Sequence, residues 1–221
     1  MLNGAPYRFT GFNIYNANSR NNCWFPMVGG GLDKALTDIG GGAEAFRAWF
    51  FQPLATTSGA RDWSAFDATL ATARAHNVRV IMTLTDHWGA CESTGLKGEA
   101  WYTSGYKSSV HAGERATYRE FVREVVTRYR DNPTILMWQM VNEAESKASG
   151  GGCSSVNVLK NFAADIGGLI KSIDPNHLVS LGTMGAGQCA AQGADYQTLH
   201  SLPVIDVCEV HDYWDLSLIH I

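Results

Sequence analysis

Residues 135–143 read ILMWQMVNE, and this stretch decides the fold. Its first seven residues are apolar apart from Gln139, and the pair Asn142-Glu143 follows them directly. A strand that is covered on both faces needs such a continuous apolar pattern, whereas a half-exposed strand would alternate. The stretch therefore predicts a buried strand of a parallel sheet with a carboxylate at its carboxyl end.

On both sides of this strand, short apolar runs alternate with amphipathic stretches, which is typical of βα units. Strands are predicted over residues 8–14, 45–50, 78–84, 135–141, 177–181 and 204–210. Helices are predicted over residues 32–39, 63–77, 118–129 and 159–173.

Such alternation forms either an open doubly wound sheet or a closed barrel. The first strand is followed by no GxGxxG phosphate loop, and the glycines at 29–31 lack that spacing. Polar residues capable of catalysis or ligand binding follow many different strands, which favours a barrel. We predict one domain, residues 1–215, that forms an incomplete (β/α)8 TIM barrel with about six of the eight units.

The composition excludes several classes of protein. The 221 residues are 17% charged with a net charge of -4, so neither disorder nor an electrostatic surface for nucleic acid or anionic membrane is expected. No run reaches the roughly 18 apolar residues of a membrane span. Residues 216–221 (LSLIHI) resemble a translated sequencing adapter and are expected to be a non-native tail, the alternative being an ordinary strand or helix start.

The five cysteines form no CxxC pair, which argues against a zinc ribbon or a thioredoxin-type site. Cys23, Cys91, Cys153 and Cys189 lie in predicted loops, where secreted enzymes place disulfides, and the sequence leaves their pairing open. Cys208 lies in a predicted apolar strand and is expected to be a buried free thiol. The pattern predicts a secreted protein whose signal peptide is not part of this sequence.

Glu143 is the leading candidate for catalysis. A carboxyl group at the mouth of an apolar barrel is partly desolvated, which raises its pKa and lets it act as an acid. Asn142 beside it can hydrogen-bond a sugar hydroxyl. Arg47 lies in an otherwise apolar strand and needs a carboxylate partner unless it reaches solvent from an edge strand.

Further candidates follow the third and sixth predicted strands. His87 and Trp88 arrive where a substrate ligand would lie. His211 and Tyr213 share parity in an extended chain and so point the same way. Tyr213 can hydrogen-bond a catalytic carboxylate, and Trp214 can form the floor of a sugar subsite.

Residues 86–113 form a long connection of the kind that is commonly functional. Its aromatic rings either provide platforms for pyranose rings or pack the loop down; they belong to Trp88, Trp101, Tyr102 and Tyr106. Cys91, Glu92 and His111 match no metal-ligand spacing, so neither a metal nor a cofactor is expected.

Together these residues resemble glycoside hydrolase family 5 and its clan of (β/α)8 glycanases. The resemblance covers residues 8–215 and implies a role for each matching residue. It identifies Arg47 as the support of the nucleophile, His87 as a substrate ligand, Asn142 and Glu143 as the amide and acid/base pair, and His211 with Tyr213 as the second histidine and the tyrosine. Residues 12–15, 101–103 and 132–135 are similar to the endo-β-mannanase branch.

The sequence departs from this family in one respect. The family's nucleophile is a glutamate after strand seven, followed by a tryptophan after strand eight, and this sequence ends after strand six. Glu209 lies too deep in strand six to replace it and is expected to be a structural partner of a residue such as Arg47. The resemblance therefore implies a fragment that cannot complete retaining hydrolysis.

We accordingly predict part of a secreted endo-β-1,4-glycanase acting on mannan first, and on cellulose or mixed glucan second. The expected partner is a polysaccharide, and the complete protein is expected to be a monomer. A non-catalytic carbohydrate-binding barrel is the alternative. An aldolase-type barrel is disfavoured because no lysine stands at a strand end to form a Schiff base.

Overall fold

The computed structural model describes residues 6–40 and 44–211. The strands are β1 (Gly11–Asn13), β2 (Ala45–Trp49), β3 (Thr56–Thr57), β4 (Ala60–Arg61), β5 (Arg79–Thr83), β6 (Ile135–Gln139) and β7 (Leu178–Ser180). The helices are α1 (Gly30–Ile39), α2 (Ser64–Ala75), α3 (Tyr106–Ser108), α4 (Tyr118–Tyr129), α5 (Val156–Ile173) and α6 (Ala194–His200). The expectations for Tyr213, Trp214 and the tail at 216–221 lie outside the described residues.

Five parallel strands form the main sheet in the order β1-β2-β5-β6-β7. Within this sheet each strand pairs with the sheet strand that follows it along the chain. The two strands between β2 and β5, β3 and β4, form a separate hairpin. A doubly wound sheet would instead reverse its strand order at a switch point. This order, with helices between the strands, is that of a partial (β/α)8 barrel, as predicted.

The outer helices form where the sequence combines an apolar stripe with a capping residue. Thr117 caps α4 in a capping box with Glu120, which satisfies backbone N–H groups that the first turn leaves free. Ser155 caps α5 in the same sense by accepting from the N–H of Asn157. Both helices bury their stripes in the hydrophobic core, and the predicted bounds agree with the structure to within a few residues.

The sixth predicted strand, residues 204–210, is not a regular strand. Its one bridge to the sheet joins Val207 to Ser180, beside β7. The Asp206 carboxylate accepts the backbone N–H of Val179 at 2.8 Å, so a side chain takes the place of the next backbone partner. The prediction was right about the position of this segment and wrong about its regular structure.

Aromatic side chains of the long connection pack into the core. Tyr102 and Tyr106 are buried, and the rings of both residues and of Trp101 meet Phe162 of α5 at centroid distances of 5.0 to 5.6 Å. Trp88 is different, because 48% of it is exposed. Packing therefore holds for the three later rings, of which Trp101 is only partly buried, and Trp88 is the one exposed ring of the four.

Four cysteines form two disulfides, Cys23–Cys91 and Cys153–Cys189. The expectation that the loop cysteines form bridges is thus confirmed. Cys208 is free and exposed, so the prediction of a buried thiol was wrong. The physical reason is alternation: Cys208 points away from the side taken by its neighbours Val207 and Glu209, which are partly buried.

This cysteine arrangement predicts one reactive thiol per native chain. Cys208 is exposed, whereas the four other sulfurs are held in disulfides and cannot react as thiolates. Titration with a chromogenic disulfide reagent should therefore report one thiol in the native protein and five after reduction and denaturation. A Cys208→Ser variant should report none before reduction. Two or more native thiols would contradict the pairing.

Candidate active site

Glu143 lies just beyond β6, at the carboxyl end of the parallel sheet. Its backbone adopts a positive φ of 59°, and its carbonyl oxygen accepts a hydrogen bond from Gln188 Nε2 at 2.8 Å. The unusual backbone turns the side chain toward the mouth of the barrel, where 12% of its surface remains accessible. The carboxylate is therefore sheltered but open to a ligand.

Two side chains of the described residues hydrogen-bond the Glu143 carboxylate. Trp88 Nε1 donates to Oε2 at 2.7 Å, and His211 Nδ1 lies 3.0 Å from Oε1. The indole can only donate, but an imidazole nitrogen can donate or accept. When Glu143 is ionised, His211 donates from Nδ1, and when Glu143 carries the proton on Oε1, Nδ1 accepts. The positions of the protons on these two residues are thus coupled.

A chain of hydrogen bonds orients the amide of Asn142. Its Oδ1 accepts from the Arg47 guanidinium at 2.6 Å, and its Nδ2 donates to Asp86 Oδ1 at 2.6 Å. Because arginine has donors only and a carboxylate accepts, the amide cannot be flipped without breaking both bonds. Burial raises the pKa of the Asp86 carboxyl, while the bonds from Asn142 and from the Ala90 N–H oppose that rise.

Gln139 connects Arg47 to Glu209. Its Oε1 accepts from Arg47 Nε at 2.7 Å and from the hydroxyl of Thr83 at 2.6 Å, and its Nε2 donates to Glu209 Oε2. Glu209 also accepts from the hydroxyl of Ser180 at 2.9 Å. Glu209 therefore supports the arginine through Gln139, the one polar side chain of the apolar strand that the sequence singled out.

His87 lies in the interior. Its side chain is fully buried, its ring meets Trp88 edge-on at a centroid distance of 5.0 Å, and its Nε2 lies 3.6 Å from Glu145 Oε2. Burial is the main cause that lowers the pKa of His87 to about 4, and the neighbouring Glu145 carboxylate only partly opposes it. The imidazole is neutral near pH 7 and stands behind the exposed Trp88.

The candidates predicted from the sequence come together in part. Hydrogen bonds join Arg47 to Asn142, and Trp88 and His211 to Glu143, and the two sets meet because Asn142 and Glu143 are adjacent in the chain. Tyr213 and Trp214 lie outside the described residues, and His87 joins through its ring contact with Trp88 and through its backbone N–H, which donates to the carbonyl of Asn142 at 3.0 Å.

The sequence did not predict three residues of the site, Asp86, Glu145 and Gln188. Asp86 could have been found, because it follows a predicted strand directly. Gln188 and Glu145 stand in loops without a pattern, and only the folded loops bring them to Glu143 and His87.

The long connection of residues 86–113 is fixed by a buried ion pair. Lys97 Nζ donates to Glu92 Oε2 at 2.7 Å and to the carbonyl of Asp86 at 2.6 Å, and both side chains are almost wholly buried. Cys91 is bound to Cys23, so the trio with His111 that could have suggested a metal is divided. Among residues 6–40 and 44–211, no group of three potential ligands could hold a metal ion, and no helix is long and apolar enough to cross a bilayer.

A partial (β/α)8 barrel with a sheltered glutamate at a strand end, next to an asparagine and an arginine, defines the class of barrel glycoside hydrolases. The family model described as Cellulase (glycosyl hydrolase family 5) matches residues 4–219. The chain belongs to glycosyl hydrolase family 5.

Several curated relatives are mannan endo-1,4-beta-mannosidases. Number 8 of rice (Oryza sativa subsp. japonica) is 27% identical over 255 residues, covering 98% of this chain and 67% of that protein. The probable enzyme C of Aspergillus terreus is 28% identical, covering 97% and 62%. The probable enzyme F of Neosartorya fischeri is 29% identical, covering 71% and 35%. The matched part thus spans between 35% and 67% of the length of these relatives.

Solved structures show the same fold. An endo-beta-1,4-mannanase from Thermotoga petrophila superposes with a TM-score of 0.70 at 22% identity, over 93% of this chain and 52% of its own. An endo-1,4-beta-mannanase from Rhizomucor miehei has a TM-score of 0.69 at 21% identity, over 93% and 67%. These structural similarities, with the strand order, establish the barrel fold.

Proposed function

We propose that Glu143 is the acid/base carboxylate of a retaining, endo-acting site for β-1,4-linked polysaccharide, with mannan as the first substrate. The observation that carries the proposal is the Glu143 carboxylate held at a strand end between Trp88 and His211. Membership of glycosyl hydrolase family 5 and the similarity to mannan endo-1,4-beta-mannosidases support the reaction class and the glycan.

In this proposal Glu143 protonates the glycosidic oxygen as the leaving group departs, and later takes a proton from the attacking water. Trp88 holds Oε2, so Oε1, which faces His211, is the oxygen that carries the proton. His211 stabilises either state of the acid because its Nδ1 can accept or donate.

Asn142 and Arg47 position the sugar beside the scissile bond. One N–H of Asn142 Nδ2 is used by Asp86, which leaves the second for the 2-hydroxyl of the sugar. Arg47 and Asp86 fix the direction of that second N–H by holding both ends of the amide.

His87 acts behind Trp88, as a support for the indole rather than as a substrate ligand, because its side chain is buried. Tyr213 and Trp214 are proposed to bind the second carboxylate and to floor a subsite.

Retaining hydrolysis needs a second carboxyl group about 5–5.5 Å from the first. The 221 residues contain no glutamate beyond Glu209, and Glu209 is engaged with Gln139 and Ser180. We propose that the 221-residue polypeptide binds glycan without hydrolysing it. The two disulfides support a secreted protein, since such bridges persist in oxidising compartments.

Binding tests the substrate proposal without requiring turnover. Calorimetry should show that mannohexaose binds the 221-residue protein more tightly than cellohexaose does. Trp88→Ala should weaken mannohexaose binding about tenfold, because it removes both the exposed ring face and the donor to Glu143. Val110→Ala, which trims another exposed apolar side chain of the same connection, is the matched control.

Tighter binding of cellohexaose would favour the glucanase alternative. An equal loss of mannohexaose affinity in the Trp88→Ala and Val110→Ala variants would contradict the proposed site. So would a folded protein that binds neither glycan.

A further inference from the structure

Four arginines line one cavity of about 670 Å³ between the β4 hairpin and α4. They are Arg61, Arg115, Arg123 and Arg128, and Trp63 forms part of the wall. Four of the chain's 17 basic residues thus share one cavity in a protein whose net charge is -4. None of these residues belongs to the group around Glu143.

Two of the four guanidinium groups are neutralised locally. Arg61 pairs with Glu124 at 2.6 Å, and Arg128 pairs with Asp67 at 2.7 Å. The side chains of Arg115 and Arg123 have no ion-pair partner in the part of the chain that the structure describes. The cavity therefore presents two uncompensated positive charges.

The walls of the cavity are held in place by a buried amide. Gln52 is 2% exposed, and its Oε1 accepts from Arg61 at 3.0 Å and from the backbone N–H groups of Arg115 and Ala116 at 3.1 and 2.9 Å. Its Nε2 donates to the carbonyl of Ala116 at 2.9 Å. One side chain thus ties the β4 arginine to the loop that carries Arg115.

The indole of Trp63 orients two of the arginines. The guanidinium carbons of Arg61 and Arg128 lie 5.3 and 5.7 Å from its ring centroid, within the range of cation–π contacts. Trp63 and Gln52 therefore order the wall of the cavity, and the exposed residues Arg115 and Arg123 complete its lining. Preorganisation lowers the entropic cost of binding an anion.

We propose that this cavity binds the carboxylate of an acidic sugar, a uronate residue of an anionic polysaccharide. A guanidinium fork matches a carboxylate in shape and donates two parallel hydrogen bonds to it. The net charge of -4 disfavours a nucleic acid, which would need a basic surface along its backbone rather than one basic cavity. Arg61 and Arg115 stand on strand-to-helix connections, as Glu143 does, so an acidic glycan held there would lie on the side of the barrel where the candidate site opens. The choice of a sugar as carrier of the carboxylate rests on the proposed function.

The test uses trigalacturonate as the probe, with binding to the 221-residue protein followed by calorimetry and by chemical shifts of arginine side chains. Arg115→Ala/Arg123→Ala should weaken binding at least about tenfold, because it removes the two uncompensated charges. Arg130→Ala is the control, since it removes an exposed arginine beside the cavity, next to Asp131. Mannohexaose binding should be the same in all these proteins.

Three results would overturn the inference: no saturable binding of trigalacturonate, equal weakening in the control, or displacement by inorganic sulfate at the same concentration. The last would identify a general anion site. Loss of mannohexaose binding alone would count against the proposed glycanase site and leave the arginine cavity unaffected.

Discussion

The free energy of unfolding is expected to fall by about 3 kcal/mol through His87 alone as the pH drops from its ordinary pKa of 6.5 to about 4. Burial keeps the folded imidazole neutral down to about pH 4, whereas the unfolded imidazole takes up a proton near pH 6.5. The protonation penalty is therefore absent well above pH 6.5, grows as the pH falls, and changes no further below about pH 4.

This contribution is measurable as a difference between two proteins. Urea unfolding of the wild type and of His87→Phe at pH 7 and pH 4 separates it from other groups. Asp165 and Asp174, whose pKa values are lowered in the fold, titrate in both proteins. The gap in stability between wild type and variant should shrink by about 3 kcal/mol on acidification. Parallel losses in the two proteins would show that His87 titrates normally and is not in the buried environment described here.

The sequence predicted that chemically active polar residues gather at the carboxyl ends of the parallel strands, as they do in a barrel. In the structure this end of the sheet brings together Arg47 with Asn142 and His211 with Glu143. They are 2.6 and 3.0 Å apart. These particular pairs were not predicted, because they depend on side-chain conformation and, at Glu143, on the positive φ.

The contacts that depend on loop conformation could not be predicted. Trp88 reaches Glu143 because the loop after β5 folds back at Gly89, whose φ is +79° and where a Cβ would lie 2.6 Å from the carbonyl oxygen of Gly95. Glu143 itself needs a positive φ, which glutamate seldom adopts. Apolar periodicity carries no information about such backbone turns.

The errors in the last predicted strand have the same origin. The apolar pattern of residues 204–210 predicted a regular strand with Cys208 inside it. In the structure the Asp206 carboxylate replaces a backbone partner, and the described residues leave Cys208 exposed. A single side chain competing for a backbone N–H changes the local structure without changing the hydrophobic pattern.

Glu143→Gln is expected to lower glycosyl transfer from α-mannobiosyl fluoride to a mannobiose acceptor at least about 100-fold. This donor carries its leaving group on the α face, where the second carboxylate would otherwise hold the sugar. The acceptor hydroxyl attacks the anomeric carbon from the β face, the C–F bond breaks, fluoride departs, and Glu143 takes the hydroxyl proton. The reaction therefore tests the base function of Glu143 without requiring the second carboxylate.

Glutamine keeps the size of the side chain and can still accept a hydrogen bond from Trp88, but near pH 7 it cannot take up the proton of the acceptor hydroxyl. Glu99→Gln makes the same chemical change on the long connection and serves as the control. The Glu143→Gln protein should bind mannohexaose as the wild type does, which would assign its loss of glycosyl transfer to the chemical step.

The most direct test of the account is the rate of β-1,4-linked product formation from this fluoride by folded wild-type and Glu143→Gln proteins. We expect product from the wild type and from Glu99→Gln, background rates from Glu143→Gln, and similar mannohexaose binding in all three. Equal rates in the wild type and Glu143→Gln, or no transfer by a wild type that binds mannohexaose, would contradict the assignment of Glu143 as the acid/base carboxylate.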